Sequence, residues 1–174
     1  VGLLVQFMGA PLPIQPRMPI PDDVPPAAAE TAPHIDTNTP GRTSDKLAFW
    51  ADPLSRQLGF SSAALRAYGN AEIIANESYP ECHLSWNTLA GIGFVETRHG
   101  TYTGRIFDGA SIDENGVVQP NIFGPQLDGT SGFALVQDTD NGEIDGDPEL
   151  DRAVGPLQFI PETWRRFSRD ADGD

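Results

Sequence analysis

The sequence predicts a mainly α fold, interrupted by a loop-rich or small-sheet insertion and preceded by a proline-rich tail. Three observations lead there. Two stretches of helical character follow one another over 61–80 and 85–100, a Gly-rich acidic segment with turn signals runs over 101–150, and most of the 16 prolines stand before residue 54. A chain of 174 residues suits one modest domain rather than two. The expected division is 1–53 as an export remnant and Pro-rich linker and 54–174 as the folded domain, truncated at its C-terminal end.

The apolar opening VGLLVQFMGA spans ten residues, too few to cross a bilayer, and lacks the positive flank of an intact export signal. It reads either as the remnant of such a signal or as a short arm. Residues 11–43 combine closely spaced prolines with Ala, Asp and Thr and few large apolar side chains, so they cannot bury a core alone. His34 among them has no ligand-like neighbours and reads as solvated.

SSAALRAYGNAEIIANESYP carries Leu65, Tyr68, Ile73 and Ile74, opens on Ser61 as N-cap candidate and stops at Pro80, which reads as a helix. A second helix runs from Ser85 through WNTLAGIGFVETRH to Gly100, where a left-handed cap is easiest. Turn signals at Glu114-Asn115-Gly116 and Asn141-Gly142 flank the apolar run Phe133–Val136, so 101–150 reads as loop with a small hairpin. GPLQFIPETWRRF returns to helical character, with Pro161 suited to a first helical position and Trp164 and Phe167 three apart on one face.

Charge removes one class of function. Acidic residues outnumber Lys and Arg by 25 to 11, a balance that repels nucleic acid and anionic lipid. The lone Cys82 permits no disulfide framework within the chain. It reads as a small core residue or as half of a bridge to a partner beyond residue 174.

Leu89, Ile92, Gly93 and Glu96 share one face on a 3.6-residue period, so a carboxylate stands where the pattern reserves a buried place. Burial and the negative end of the helix dipole would both disfavour the anion, the tuning that a general acid needs. The competing reading is a buried glutamate paired with Arg98 or Arg152. Glu96 and His99 also form a Glu-x-x-His pair able to ligate a metal, but with only His34 and His83 besides, the other ligands are missing.

Seven acidic residues and no basic one lie in DTDNGEIDGDPELD, 138–151, which invites a calcium reading but misses the EF-hand pattern at its fifth place. A solvated acidic loop is the expectation there. Asp170, Asp172 and Asp174 in the closing DADGD match the first, third and fifth ligand positions of an EF-hand loop.

VETRHG at 95–100, then GPLQFIPETW at 155–164, then DADGD, in that order, resemble the lytic murein transglycosylases of the membrane-bound B type, a branch of the lysozyme-like superfamily. The resemblance covers roughly 61–174. It implies a lysozyme-like fold, Glu96 as the single catalytic acid and base, and Gln158 lining the saccharide groove with Thr97 and Phe159 in support. It aligns Asp170, Asp172 and Asp174 with the start of a structural Ca2+ loop and requires no cofactor for the chemistry. The groove arginines have no clear counterpart, Arg105 and Arg152 being candidates. The implied substrate is the glycan strand of peptidoglycan, cut at the β-1,4 bond between N-acetylmuramic acid and N-acetylglucosamine with a 1,6-anhydro product, by an exported protein of the cell envelope; the resemblance leaves the oligomeric state open, and a monomer is the expectation. Two rivals stand beside it. A lysozyme-type muramidase would need a second carboxylate, for which Asp145 and Asp151 are candidates, and a calcium-dependent wall-binding module would need no catalysis.

Overall fold

The computed structural model of the protein describes residues 30–102 and 109–169. Four α-helices, two short 3-10 helices and two small antiparallel sheets make up the regular structure of these residues, a mainly α fold with a small-sheet insertion. The helices are α1 (Ala48–Leu58), α2 (Ser62–Ser78), α3 (Trp86–Thr97) and α4 (Pro161–Phe167). The strands are β1 (Ser111–Ile112), β2 (Val118–Gln119), β3 (Phe123–Gln126) and β4 (Arg152–Val154).

Residues 30–53, expected as linker, are part of the packed body. Leu47, which closes the short 3-10 helix Thr43–Leu47, and Ala51 of α1 are both fully buried, and Ala32 and Ile35 join Leu47 and Ile73 in one core cluster. The reason is a pair of tethers that no local pattern encodes. The Ala32 amide donates to Glu72 Oε1 at 3.0 Å and the Trp86 indole donates to the Glu30 carbonyl at 2.8 Å. Trp86 also meets Trp50 edge to face, with ring centroids 5.6 Å apart.

Helix α1 ends at Gly59, whose φ of 78° supplies the left-handed cap, and whose amide returns to the Ser55 carbonyl. Helix α2 follows as expected, although Ser61 takes the N-cap place without a side-chain bond. Its buried positions Leu65, Tyr68, Gly69, Glu72 and Ile73 follow the helical period. Glu72 is the buried glutamate of this fold, 2 % exposed, and its second oxygen accepts the Trp86 amide at 2.7 Å where α3 begins.

Helix α3 buries a narrow stripe of Leu89, Gly93 and Thr97, of which Leu89 and Gly93 meet α2 at Tyr68 and its neighbours and Thr97 meets Pro156. The missing side chain at Gly93 sets this contact, because a Cβ there would collide with the Tyr68 hydroxyl and lie 3.4 Å from Leu157 Cδ2. The stripe runs along i, i+4, so Ile92 and Glu96, expected to share the buried face, are exposed. Cys82, in the short 3-10 turn Pro80–Cys82 that joins the helices, is exposed and is not the core residue that one reading expected.

Strands β1 and β2 form the hairpin signalled by Glu114-Asn115-Gly116, with Ile112 opposite Val118. Asp113 organises its turn by accepting the amides of Asn115 and Val117, each at 2.9 Å. Strands β3 and β4 pair with an irregularity between Phe123↔Val154 and Gln126↔Arg152, and they bracket the acidic loop. Pro161 opens α4 at its first turn, as its fixed φ favours. Trp164 and Phe167 of α4 are about half exposed, at 49 % and 53 %.

Candidate functional site

The two motif segments meet. Thr97, 2 % exposed, donates its hydroxyl to the Pro156 carbonyl at 2.7 Å, and its oxygen accepts the Gly100 amide at 2.8 Å. Pro156 belongs to the turn Gly155–Gln158 that links β4 to Phe159, and Leu157 of the same turn packs into the α2–α3 core. The end of α3 and the GPLQF turn are therefore one substructure, although 59 residues separate the bonded pair.

Three consecutive residues leave α3 in left-handed conformation, Arg98 at φ 51°, His99 at 60° and Gly100 at 79°. The helix thus ends at Thr97, three residues before the glycine that was expected to stop it, and His99 turns inward. Its Nδ1 lies 3.2 Å from the Tyr68 hydroxyl and its ring stacks on Phe60 at 3.9 Å between centroids. Burial pushes the Tyr68 phenol up to about 12 and lowers the proton affinity of His99, so both groups are neutral near pH 7. His99 is a packing residue here rather than the second ligand of a Glu-x-x-His metal pair.

Glu96 is exposed, one residue before the buried Thr97 and beside Phe94 and Val95, which are 60 % and 79 % exposed. The burial expected for its carboxylate is not found, because the contact stripe passes through residue 97 instead of 96. Neither proposed ion-pair partner holds it. Arg152 pairs with Asp147 Oδ2 through Nε and Nη2, both at 2.9 Å, and Arg98 lies over the Tyr102 ring at 5.7 Å. A cleft of about 470 Å³ opens next to this helix end, between Phe60, Phe94, Arg98 and His99.

Gln158 adopts a positive φ of 52° and donates Nε2 to the Gly155 carbonyl at 2.8 Å, which closes its own turn. Its Oε1 lies over Gly124 of β3, where an added Cβ would come within 2.9 Å of it. Phe159, next in line, is 41 % exposed. Thr97, Gln158 and the turn before Phe159 are thus brought together, Thr97 by direct bonding to that turn. Arg152, a candidate groove arginine, is committed to Asp147 and, at 3.3 Å, to the Gly124 carbonyl. Arg105 and the calcium-loop candidates Asp170, Asp172 and Asp174 lie outside the described residues.

The 138–151 loop is not the solvated acidic loop that the sequence suggested. Asp140, Asp145, Asp147 and Asp151 are all buried. Asp145 accepts the amides of Asp147 and Arg152, at 2.9 and 2.6 Å, and Asp151 accepts the Thr139 amide and hydroxyl at 2.9 and 2.8 Å. Burial raises the proton affinity of Asp147, but amides of Glu149 and Leu150 and the Arg152 guanidinium outweigh it and hold the carboxyl below its usual range. Asp145 and Asp151, the candidates for a second catalytic carboxylate, are thus turned into the loop. What sequence reading missed here is Glu72 and these inward carboxylates, since a run of alternating Asp looks the same whether it faces water or its own amides.

No protein-family model, curated protein or solved structure matches the chain.

Proposed function

We propose that the protein is a peptidoglycan lytic transglycosylase of lysozyme-like fold, with Glu96 as its single acid and base. The observation that carries this reading is the bond of Thr97 Oγ1 to the Pro156 carbonyl at 2.7 Å, which joins the helix end bearing Glu96 to the turn bearing Gln158. Two segments that resemble one family's catalytic and groove motifs are expected to converge if they share a site, and these converge.

Glu96 would first donate its proton to the glycosidic oxygen that leaves from C1 of N-acetylmuramic acid. As carboxylate it would then take the proton from that sugar's 6-hydroxyl while the hydroxyl oxygen closes on C1, which gives the 1,6-anhydro product and restores the acid. The substrate's own acetamido group can stabilise the cation-like centre, so one carboxylate suffices. Asp145 and Asp151 are buried and bonded within their loop, which favours this route over a muramidase that activates water with a second acid. The exposed Phe94, Val95 and Phe159 offer apolar surface to pyranose rings, and a bound strand would exclude water from the exposed Glu96. The substrate lies outside the cytoplasmic membrane, so the reading carries with it an exported protein. No helix of the described residues is long and apolar enough to cross a membrane.

The test is mass spectrometry of the soluble products released from purified peptidoglycan by the protein and by its Glu96→Gln variant. Anhydro-ended muropeptides from the parent and none from the variant are expected. Reducing ends would indicate a muramidase, and binding to the sacculus without products would indicate a wall-binding module.

A further inference from the structure

We propose that the acidic loop between β3 and β4 is a calcium site, built by Asp138, Asp140 and Asp151. One carboxylate oxygen from each lies within 4.8 Å of the others. Oxygens that share a Ca2+ at about 2.3–2.6 Å stand no farther apart than about 5 Å, so a single ion reaches all three. The donor set is oxygen alone, which selects a hard cation over zinc or copper.

Clustered acids alone would not argue for an ion. The second observation is Asp140, only 3 % exposed, whose Oδ1 is buried with no hydrogen-bond partner among the described residues. Its other oxygen accepts the Ile144 amide at 2.7 Å, so the carboxylate is fixed in place with one oxygen unsatisfied. A buried carboxylate oxygen without a partner carries a large desolvation cost, which a cation at that oxygen removes. The neighbours are prepared in the same sense. Asp138 accepts the amides of Asp140, Asn141 and Gly142, and Asp151 is held by Thr139 through both oxygens, which orients each carboxylate and leaves it lone pairs. The described arginines nearby are engaged elsewhere, Arg152 on Asp147 and Arg165 on the Thr139 carbonyl at 3.0 Å.

This site is separate from Asp170, Asp172 and Asp174 and does not rest on the proposed reaction. An ion there would cross-link the two ends of the loop, Asp138 and Asp140 to Asp151, directly before Arg152 and β4.

The experiment is calcium titration calorimetry, with thermal unfolding in EGTA and in CaCl2, on the full chain carrying Asp170→Asn, Asp172→Asn and Asp174→Asn so that the closing acids do not contribute. One Ca2+ per chain and a higher Tm in calcium are expected. Adding Asp140→Asn should weaken calcium binding by about tenfold or more, because ligand charge sets affinity in such sites. In EGTA the same variant should match or exceed its parent in Tm, since it relieves repulsion among three carboxylates, and the order should reverse in calcium. Absence of calcium binding by the parent would overturn the proposal, as would undiminished binding by the Asp140→Asn variant. A Tm lowered equally in both buffers would overturn it too, by making Asp140 a structural acid alone.

Discussion

Thr97 and Pro156 are joined by a 2.7 Å hydrogen bond from a fully buried hydroxyl to a carbonyl of the GPLQF turn. The same hydroxyl oxygen accepts the Gly100 amide, so one side chain satisfies two backbone groups. Thr97→Val keeps the shape and leaves both unpaired, a loss of about 1–3 kcal/mol. Urea unfolding should show that loss, whereas Thr97→Ser should retain most of the stability.

Glu96→Gln should behave in the opposite way. Its side chain is exposed, so unfolding free energy should stay within about 0.5 kcal/mol of the parent. Under the proposed function, release of anhydro-muropeptides should fall by about a hundredfold or more. Stability and product assays on one preparation separate the two effects.

Gly93→Ala tests the α2–α3 contact. The new methyl would collide with the Tyr68 hydroxyl and approach Tyr68 Cζ at 3.1 Å, and the tyrosine is held by its partner His99. Overpacking of this kind costs about 1–3 kcal/mol, enough to lower Tm by several degrees in a scan. Gly91→Ala, on the same helix with open space around it, should not lower it.

His99 makes stability depend on pH. Burial lowers its folded proton affinity below the ordinary value of 6.5, so the unfolded chain binds the proton first as pH falls. Its contribution is complete above pH 6.5 and is lost as pH drops through the lower folded value. His99→Gln should flatten the stability profile just below pH 6.5, read by urea midpoints from pH 5 to 8.

Helices α2, α3 and α4 were legible because their signals are local: an apolar period, Pro161 at a first turn and Pro80 as a stop, whereas the end of α3 comes at Thr97 and not at the expected glycine. The β1–β2 hairpin was legible for the same reason, through its Asn-Gly turn. The face of α3 was legible only in part, since Leu89 and Gly93 are buried as expected but the stripe continues to Thr97, which is held by the distant Pro156 carbonyl, and leaves Ile92 and Glu96 outside. Residues 30–53 were misjudged because their anchors are distant, Glu72 for the Ala32 amide and Ile73 beside Leu47. Of the expected site, the convergence of Thr97 with the Gln158 turn is seen, the burial of Glu96 is not, and Asp170, Asp172 and Asp174 fall outside the described residues.

The left-handed run Arg98-His99-Gly100 bears on which variants of this chain can persist. Each non-glycine residue in that conformation costs about 1–2 kcal/mol, more if it is β-branched. At position 98 asparagine or glycine would relieve the backbone at no cost to the interior, so drift toward them is permitted. At 99 the imidazole is gripped by Phe60 and Tyr68, so the same relief would empty a packed place. At 100 a side chain would press on Ile112 and Pro156, at 3.0 and 3.2 Å, which leaves glycine alone. Three neighbours that share one backbone conformation therefore face three different constraints, and their tolerance to substitution should fall steadily from 98 to 100.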